Sequence, residues 1–300
     1  MKVRSTIGFC ETMEARSVKI FIKRVNSTIS ALILIGALVV FSFVYLPLRN
    51  ALKESILSNF SQVSYANYHA LQNIFQRGTE GARSLSSRTM IKEALVSYRT
   101  GTMDMEELKA YTQLKYRDGA KALENLRVAE RLVNGLSIAR FASSDEPISD
   151  QLGTDGDIQF SSRLEIDDSH IFFIVISPVV TEKELTSYDR LVFDITDQLH
   201  LLSNDSSESL IINPDEFQNL VSASEISYSG DNHILFSNSQ FQYHVIGLPD
   251  GFYFLTRQDA NTLYVTITQL SISILPPVWG FYWRFRSQST CTSSDTQKMS

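Results

Sequence analysis

The chain has 300 residues, 43% of them hydrophobic and 20% charged, with a formal net charge of −6. An acidic chain without a basic stripe is a poor nucleic-acid binder, and two cysteines exclude a disulfide-built scaffold. The length leaves room for two average domains, or for one domain and membrane segments.

Charge and hydrophobicity are sharply segregated. Residues 1–24 hold six basic residues (Lys2, Arg4, Arg16, Lys19, Lys23, Arg24) against Glu11 and Glu14. Val25 to Leu48 then gives 24 residues without a charge. A helix needs roughly 20 apolar residues to cross about 30 Å of hydrocarbon. Phe41, Phe43 and Tyr45 stand toward the outer end, where aromatic belts form. Pro47, Leu48 and Arg49 follow instead of a small-residue cleavage site, so an uncleaved anchor is expected over 25–48.

Residues 49–135 read as helical. Ile56, Phe60, Val63, Asn67, Ala70 and Ile74 repeat at spacings of three and four, a stripe on one helical face. Such a stripe packs on its own domain or forms a coiled-coil seam with Asn67 as the polar register residue; the two are compatible in a long helix. A helix over 88–100 ends at Gly101, and Asp104 is placed as the N-cap of the next. The helical reading continues through KALENLRVAERLV to Val133, where Asn134-Gly135 breaks it.

From Leu136 the period changes to that of strands. Leu136–Phe141, Ile158–Ile166, His170–Val180, Leu191–Ile195, Ser209–Ile212, Glu225–Ser229, His233–Ser237, Gln242–Gly247 and Gly251–Arg257 are candidate strands. A loop covers 143–156, and Asp167-Asp168, Asp231-Asn232 and Pro249-Asp250 supply turns. Short helices are expected at TDQLHLL, capped by Thr196, and from Pro214 to Val221. The class is α+β, long helices followed by mainly antiparallel strands. One sheet or two are equally compatible with this strand count.

Ala260 to Trp283 is a second stretch of 24 uncharged residues, diluted by Thr, Ser and Gln and kinked by Pro276-Pro277. Tyr264 lies near one end and Trp279, Tyr282 and Trp283 near the other, so a second span is expected over 262–283. The tail 284–300 has Arg284, Arg286 and Lys298 against Asp295, while the middle holds the remaining 18 basic and 30 acidic residues. The positive-inside rule then places both termini in the cytoplasm and 49–261 outside, in a multi-pass protein of the inner (plasma) membrane. Cys10 and Cys291 both fall in the cytoplasmic flanks.

No Gly-rich phosphate loop, HExxH or GxSxG is present, so no enzyme activity is expected. The histidines at 69, 170, 200, 233 and 244 lack metal-ligand spacing, and Asp155-Gly156-Asp157 reads as a solvated turn rather than a calcium loop. Neither a cofactor nor a metal is expected.

This layout resembles the Cache-type, PAS-like extracytoplasmic sensor regions of bacterial histidine kinases, diguanylate cyclases and chemoreceptors. The pieces that carry the resemblance are SRTMIKEALVSYRTG at 87–101, NGLSIARF at 134–141, ISPVV at 176–180, YDRLVFDITDQL at 188–199 and DNHILFSN at 231–238. The resemblance implies a long helix packed on a PAS-like antiparallel sheet between two transmembrane helices. It implies a small-molecule ligand of unknown identity and transmission of the signal across the bilayer; the seam spacing of the long N-terminal helix adds the expectation of a homodimer through it. The amino-acid-binding signature of some double-Cache sensors is not recognisable. The kinase, cyclase or HAMP region that such receptors carry after the second span is also absent from these 300 residues, so the chain reads as the input half of a truncated or split receptor. The alternative is a bitopic structural or assembly protein whose exported domain binds another protein.

PAS-like domains hold ligands between the sheet and the loops and helices over it, and concave, mostly apolar pockets with a few polar groups are the usual form. The polar residues on or beside strands are therefore the ligand-binding candidates: Arg140, Arg163, His170, Tyr188, Arg190 and Asp194. Tyr188, Arg190 and Asp194 stand at even spacing on one strand and face one side. The same row also fits the solvated face of an antiparallel strand.

Overall fold

The structure is a computed structural model that describes residues 4–143, 159–167, 170–181, 184–204, 206–230, 232–269 and 271. It separates into two compact units, Met1–Phe60 with Leu263–Ser300, and Ser61–Thr262.

In the first unit, helix α1 (Arg4–Val40) runs into a π-helical turn at Phe41–Tyr45 and then into α2 (Leu46–Ser86). By length and composition, Ile20–Ser86 contains a stretch able to cross a membrane, and its apolar side chains Leu32, Ile35, Leu38 and Phe43 are exposed. The π turn stacks Phe41 on Tyr45 and turns the Tyr45 hydroxyl to Ser271 Oγ at 2.5 Å. Of the second expected span, 262–269 and 271 are described and the rest lies outside the described residues, as do the loop at 144–158, Asp168, Asp231 and the tail after 271.

The second unit is α+β with two antiparallel sheets. Helices α3 (Thr89–Arg99) and α4 (Met105–Lys121) follow α2. The Asp104 carboxylate accepts from the Glu107 amide at 2.8 Å and Glu107 reaches back, a complete capping box. Strands β1 (Leu126–Val133), β2 (Leu136–Ala142), β3 (Ser161–Asp167), β4 (His170–Thr181) and β5 (Glu184–Asp194) form a sheet in the order β2-β1-β5-β4-β3. Helix α5 (Thr196–Leu201) leads to β6 (Ser207–Ile212), and α6 (Pro214–Ser222) precedes β7 (Glu225–Ser229), β8 (His233–Ser237), β9 (Phe241–Gly247) and β10 (Tyr253–Asp259). The second sheet has the order β6-β10-β9-β8-β7, and a short α7 (Ala260–Leu263) follows.

One core runs beneath α2 along both sheets. Leu71, Ala82 and Leu85 of α2 join Ala129, Val175, Leu191 and Phe193 of the first sheet and Ile211, Ile246 and Phe254 of the second. Phe75 stacks on Phe173 at 4.6 Å. The far side of the second sheet packs Ile212, Phe236, Tyr243, Val245 and Leu255 against Phe217, Leu220 and Val221 of α6. Beneath α2 this sheet also carries a polar seam: Ser64 Oγ donates to Thr256 Oγ1 at 2.9 Å, and His244, fully buried, lies edge-on to Tyr65 and His233.

Several expectations are corrected. The run 121–133 is not a helix beyond Lys121: Asn125 takes a left-handed backbone (φ 60°) and Leu126–Val133 is the strand next to the sheet centre. Leu126, Ala129 and Val133 have helical spacing, yet Glu130 and Arg131 find partners across β5 on opposite faces, which a strand alone permits. The buried face of α2 matches the predicted stripe only in part: Phe60 is buried and Ile74 packs on the core. Ser64, Leu71, Gly78, Ala82 and Leu85 are buried, whereas Val63 is 43% exposed. Asn67 Nδ2 donates to the Leu202 carbonyl at 2.8 Å inside the unit. Thr196 does not cap α5: its hydroxyl accepts from the Ile171 amide, and the cap position, Ile195, contributes no side-chain bond.

Candidate functional site

The faces of the first sheet differ in kind. The inner face meets the helices and holds a buried ion pair. Arg131 Nε and Nη2 donate to the two Asp189 carboxylate oxygens at 2.7 and 2.6 Å, and Nη2 also reaches the Leu85 carbonyl at 3.1 Å. Both side chains are 0% exposed. The Tyr116 ring lies 5.2 Å from the guanidinium, and burial pushes the Tyr116 hydroxyl well above its ordinary value.

The outer face carries the candidates. The register aligns Arg140, Glu130, Arg190 and Ile176 in one row across β2, β1, β5 and β4. A neighbouring row sets Val128, Val192, Ile174 and Arg163 side by side across β1, β5, β4 and β3. Val128, Phe172, Ile174 and Val192 form a buried apolar patch on this face. Arg190 Nη2 donates to Glu130 Oε2 at 2.9 Å, with both side chains 13% exposed, while Arg190 Nε is buried with no acceptor among the described residues. Alternation places Tyr188, Arg190 and Asp194 on this side, away from Leu191 and Phe193.

The structure therefore brings all six candidates to one face without bringing them to one point. Six residues of strand, about 20 Å, separate Tyr188 from Asp194, too far for one small ligand to span. Asp194 belongs to its own group: its Oδ2 lies 3.1 Å from His170 Nδ1 and 3.8 Å from Arg127 Nε, and its Oδ1 accepts from the Thr196 amide. Tyr188 is buried beside Pro178 and Leu132 in the register. Arg163 also borders a hollow of about 140 Å³ with Phe75, Thr79 and Asp250. Arg140, Arg190 and Glu130 make the compact group. The β2 backbone beneath it is held by Gln113 of α4, whose side chain accepts from the Arg140 amide and donates to its carbonyl.

Glu130 and Arg127 are absent from the sequence candidates because β1 reads as helix. The Val128, Glu130, Leu132 alternation is the signal that marks Glu130, while Arg127 meets Asp194 beside the register shift between Leu126 and Val128. Among the described residues no group of three or more His, Cys, Asp or Glu side chains gathers as a metal site requires.

No family model matches the sequence, and no curated protein matches it. Several solved structures resemble it. The sensor domain of the histidine kinase DctB of V. cholerae is 11% identical with a TM-score of 0.45, covering 72% of this chain and 98% of that one. The sensory domain of the Campylobacter jejuni chemoreceptor Tlp3, with isoleucine bound, is 10% identical with a TM-score of 0.47, covering 72% and 97%. A domain of a putative sensory box/GGDEF family protein of Vibrio parahaemolyticus is 12% identical with a TM-score of 0.40, covering 71% and 98%.

Proposed function

We propose that this chain is a membrane-anchored extracytoplasmic sensor that binds a small anion-bearing ligand on the outer face of its first sheet. Arg190 carries the reading. It is mostly buried, its Nη2 is committed to Glu130, and its Nε has no acceptor among the described residues. A buried guanidinium N–H without a partner is costly, and a ligand carboxylate or similar anion would fill the vacancy. Arg140 stands two strands away in the same row, and the apolar patch adjoins it. That combination of a buried apolar cluster and a few convergent polar groups is the usual make-up of a small-molecule site.

Anchoring through the apolar stretch of α1 and α2, with both termini cytoplasmic and 49–261 outside, lets occupancy bear on a helix that continues toward the bilayer. Topology is tested by reporter fusions after Ile20, Asp150 and Asp295; a cytoplasmic readout at Asp150 refutes it. The site is tested by thermal unfolding against a panel of small carboxylates and other anions. A ligand that binds the folded state alone adds about 2.7 kcal/mol at a hundredfold excess over its Kd. Arg190→Ala and Arg140→Ala should abolish that gain. A wild-type protein that no compound stabilises, or variants that respond as wild type, would reject the site.

A further inference from the structure

Helix α2 runs along both sheets and meets them through different chemistry. Over the first sheet the contact is dry: Phe75 stacks on Phe173 at 4.6 Å, and Ala82 and Leu85 are buried in the core. Over the second sheet, along 61–68, it is largely polar. Ser64 is fully buried and donates to Thr256 Oγ1 at 2.9 Å, and Asn67 Nδ2 donates to the Leu202 carbonyl at 2.8 Å. Between them the Tyr65 ring lies edge-on to His244 at 5.0 Å and to His233 at 5.5 Å. We propose that this second contact is an acid-sensitive clasp: charging the His244 imidazole releases 61–68 of α2 from the second sheet and leaves the rest of α2 seated on the first.

The surroundings of His244 carry this. The residue is 0% exposed and stands on β9, the middle strand of its sheet, opposite Thr256 of β10 and Leu235 of β8. The titratable groups that face its ring are Tyr65 from α2 and His233 from β8, the latter 5.5 Å away between centroids; Tyr228 of β7 stacks on His233 at 5.1 Å. Neither a phenol nor a second imidazole stabilises an imidazolium as a carboxylate does, so a charge on this ring has to reach water. Moving β9 would break the main-chain ladders to β8 and β10 on either side. Lifting 61–68 gives up only side-chain bonds and ring contacts, so the helix is the part that yields.

Burial, and then His233, lower His244 to about 4 from 6.5. The closed form holds the ring neutral, so the clasp is complete above pH 6.5 and loosens as pH falls toward 4. With the ordinary value restored in the released form, release should be about 30-fold more populated at pH 5 than at pH 7.5. The stretch that yields is the part of α2 nearest the apolar anchor in the chain. Acid would thus act on that helix without any occupant at the Arg190 site.

The test is thiol labelling of the full chain in detergent micelles, with Cys10→Ser and Cys291→Ser. A single cysteine is placed by Ser64→Cys under the second sheet's end of α2, or by Ser86→Cys at the first sheet's end, where the native hydroxyl is buried against Ser177 at 2.8 Å. The probe is 4,4′-dithiodipyridine, which reacts with thiols in acid as well as at neutral pH, and each rate is divided by that of the same chain in urea. The corrected rate at Ser64→Cys should rise about 30-fold from pH 7.5 to pH 5, while that at Ser86→Cys should change less than about threefold. Adding His244→Gln to Ser64→Cys should remove the rise. The two reporters decide the matter even where His244→Gln does not fold. A rate at Ser64→Cys that ignores pH overturns the inference. So does an equal rise at both reporters, which would mean global unfolding, or a rise that survives His244→Gln.

Discussion

Replacing Arg131 by Met leaves the Asp189 carboxylate with no counter-ion in a fully buried position. Removing one partner of a buried pair typically costs about 3–5 kcal/mol. A ceiling follows from titration, because the stranded carboxylate takes up a proton rather than remain charged. Protonating an Asp of ordinary pKa near 3.9 at pH 7 costs about 1.4 kcal/mol per unit, about 4 kcal/mol in all. The same penalty falls to about 1.5 kcal/mol at pH 5. The loss in Arg131→Met should therefore shrink as pH falls, because the unfolded chain also becomes protonated. Urea unfolding of Ser61–Thr262, a compact unit by itself, at pH 5, 6 and 7 measures this. The double variant Arg131→Met with Asp189→Leu should recover most of the stability, since matched apolar replacements of buried pairs are often neutral or stabilising. A loss under about 1 kcal/mol at pH 7, or one that grows toward acid, would refute the reasoning.

Three further outcomes are expected. Burial, and then the neighbouring His233, lower His244 to about 4 from an ordinary value of 6.5. Its neutral form is favoured in the fold, so its contribution is complete above pH 6.5 and is lost as pH falls toward 4, by about 3 kcal/mol at most. His244→Leu should flatten that part of the stability–pH curve, and an unchanged curve would show that another group titrates. Asp104→Ala and Asn213→Ala each break a capping box and should cost about 1 kcal/mol in urea unfolding. Phe173→Ala removes a ring that packs against Phe75 and Phe193 and should cost about 3–5 kcal/mol, less if the adjoining cavity lets the site collapse.

Most strands were legible because β-branched and aromatic runs such as IFFIVIS are bounded by turn residues. The capping residue Asp104 was legible from local chemistry alone. β1 was not, because Leu126, Ala129 and Val133 satisfy a helical period and two adjacent charges look like a solvated face. The deciding partners, Arg190 and Asp189, lie about 60 residues away. The same distance hid Glu130 from the candidate site. Part of the buried face of α2 was missed for a related reason: Ser64 and Gly78 are buried through their contacts with Thr256 and Phe173, and nothing in their own composition announces it. Even spacing set Tyr188, Arg190 and Asp194 on one face of one strand, yet alternation carries no measure of distance along a strand, so the split between the Arg190 and Asp194 groups needed the structure.

Four of the charges on β1 and β5 also act as a lock against mispairing. In the observed register Glu130 faces Arg190 and Arg131 faces Asp189. A slip of one residue in one direction sets Glu130 against Asp189, two acids; a slip in the other sets Arg131 against Arg190, two cations. Like charges directly opposed destabilise a strand pair, and a one-residue slip would also turn every side chain of the strand to the wrong side. A segment whose pattern tempts it toward helix is thereby held to a single alignment from either direction. Exchanging the order of both dipeptides together, to Arg-Glu facing Asp-Arg, would preserve the lock, whereas reversing one of them alone would set like charges against each other in the native alignment.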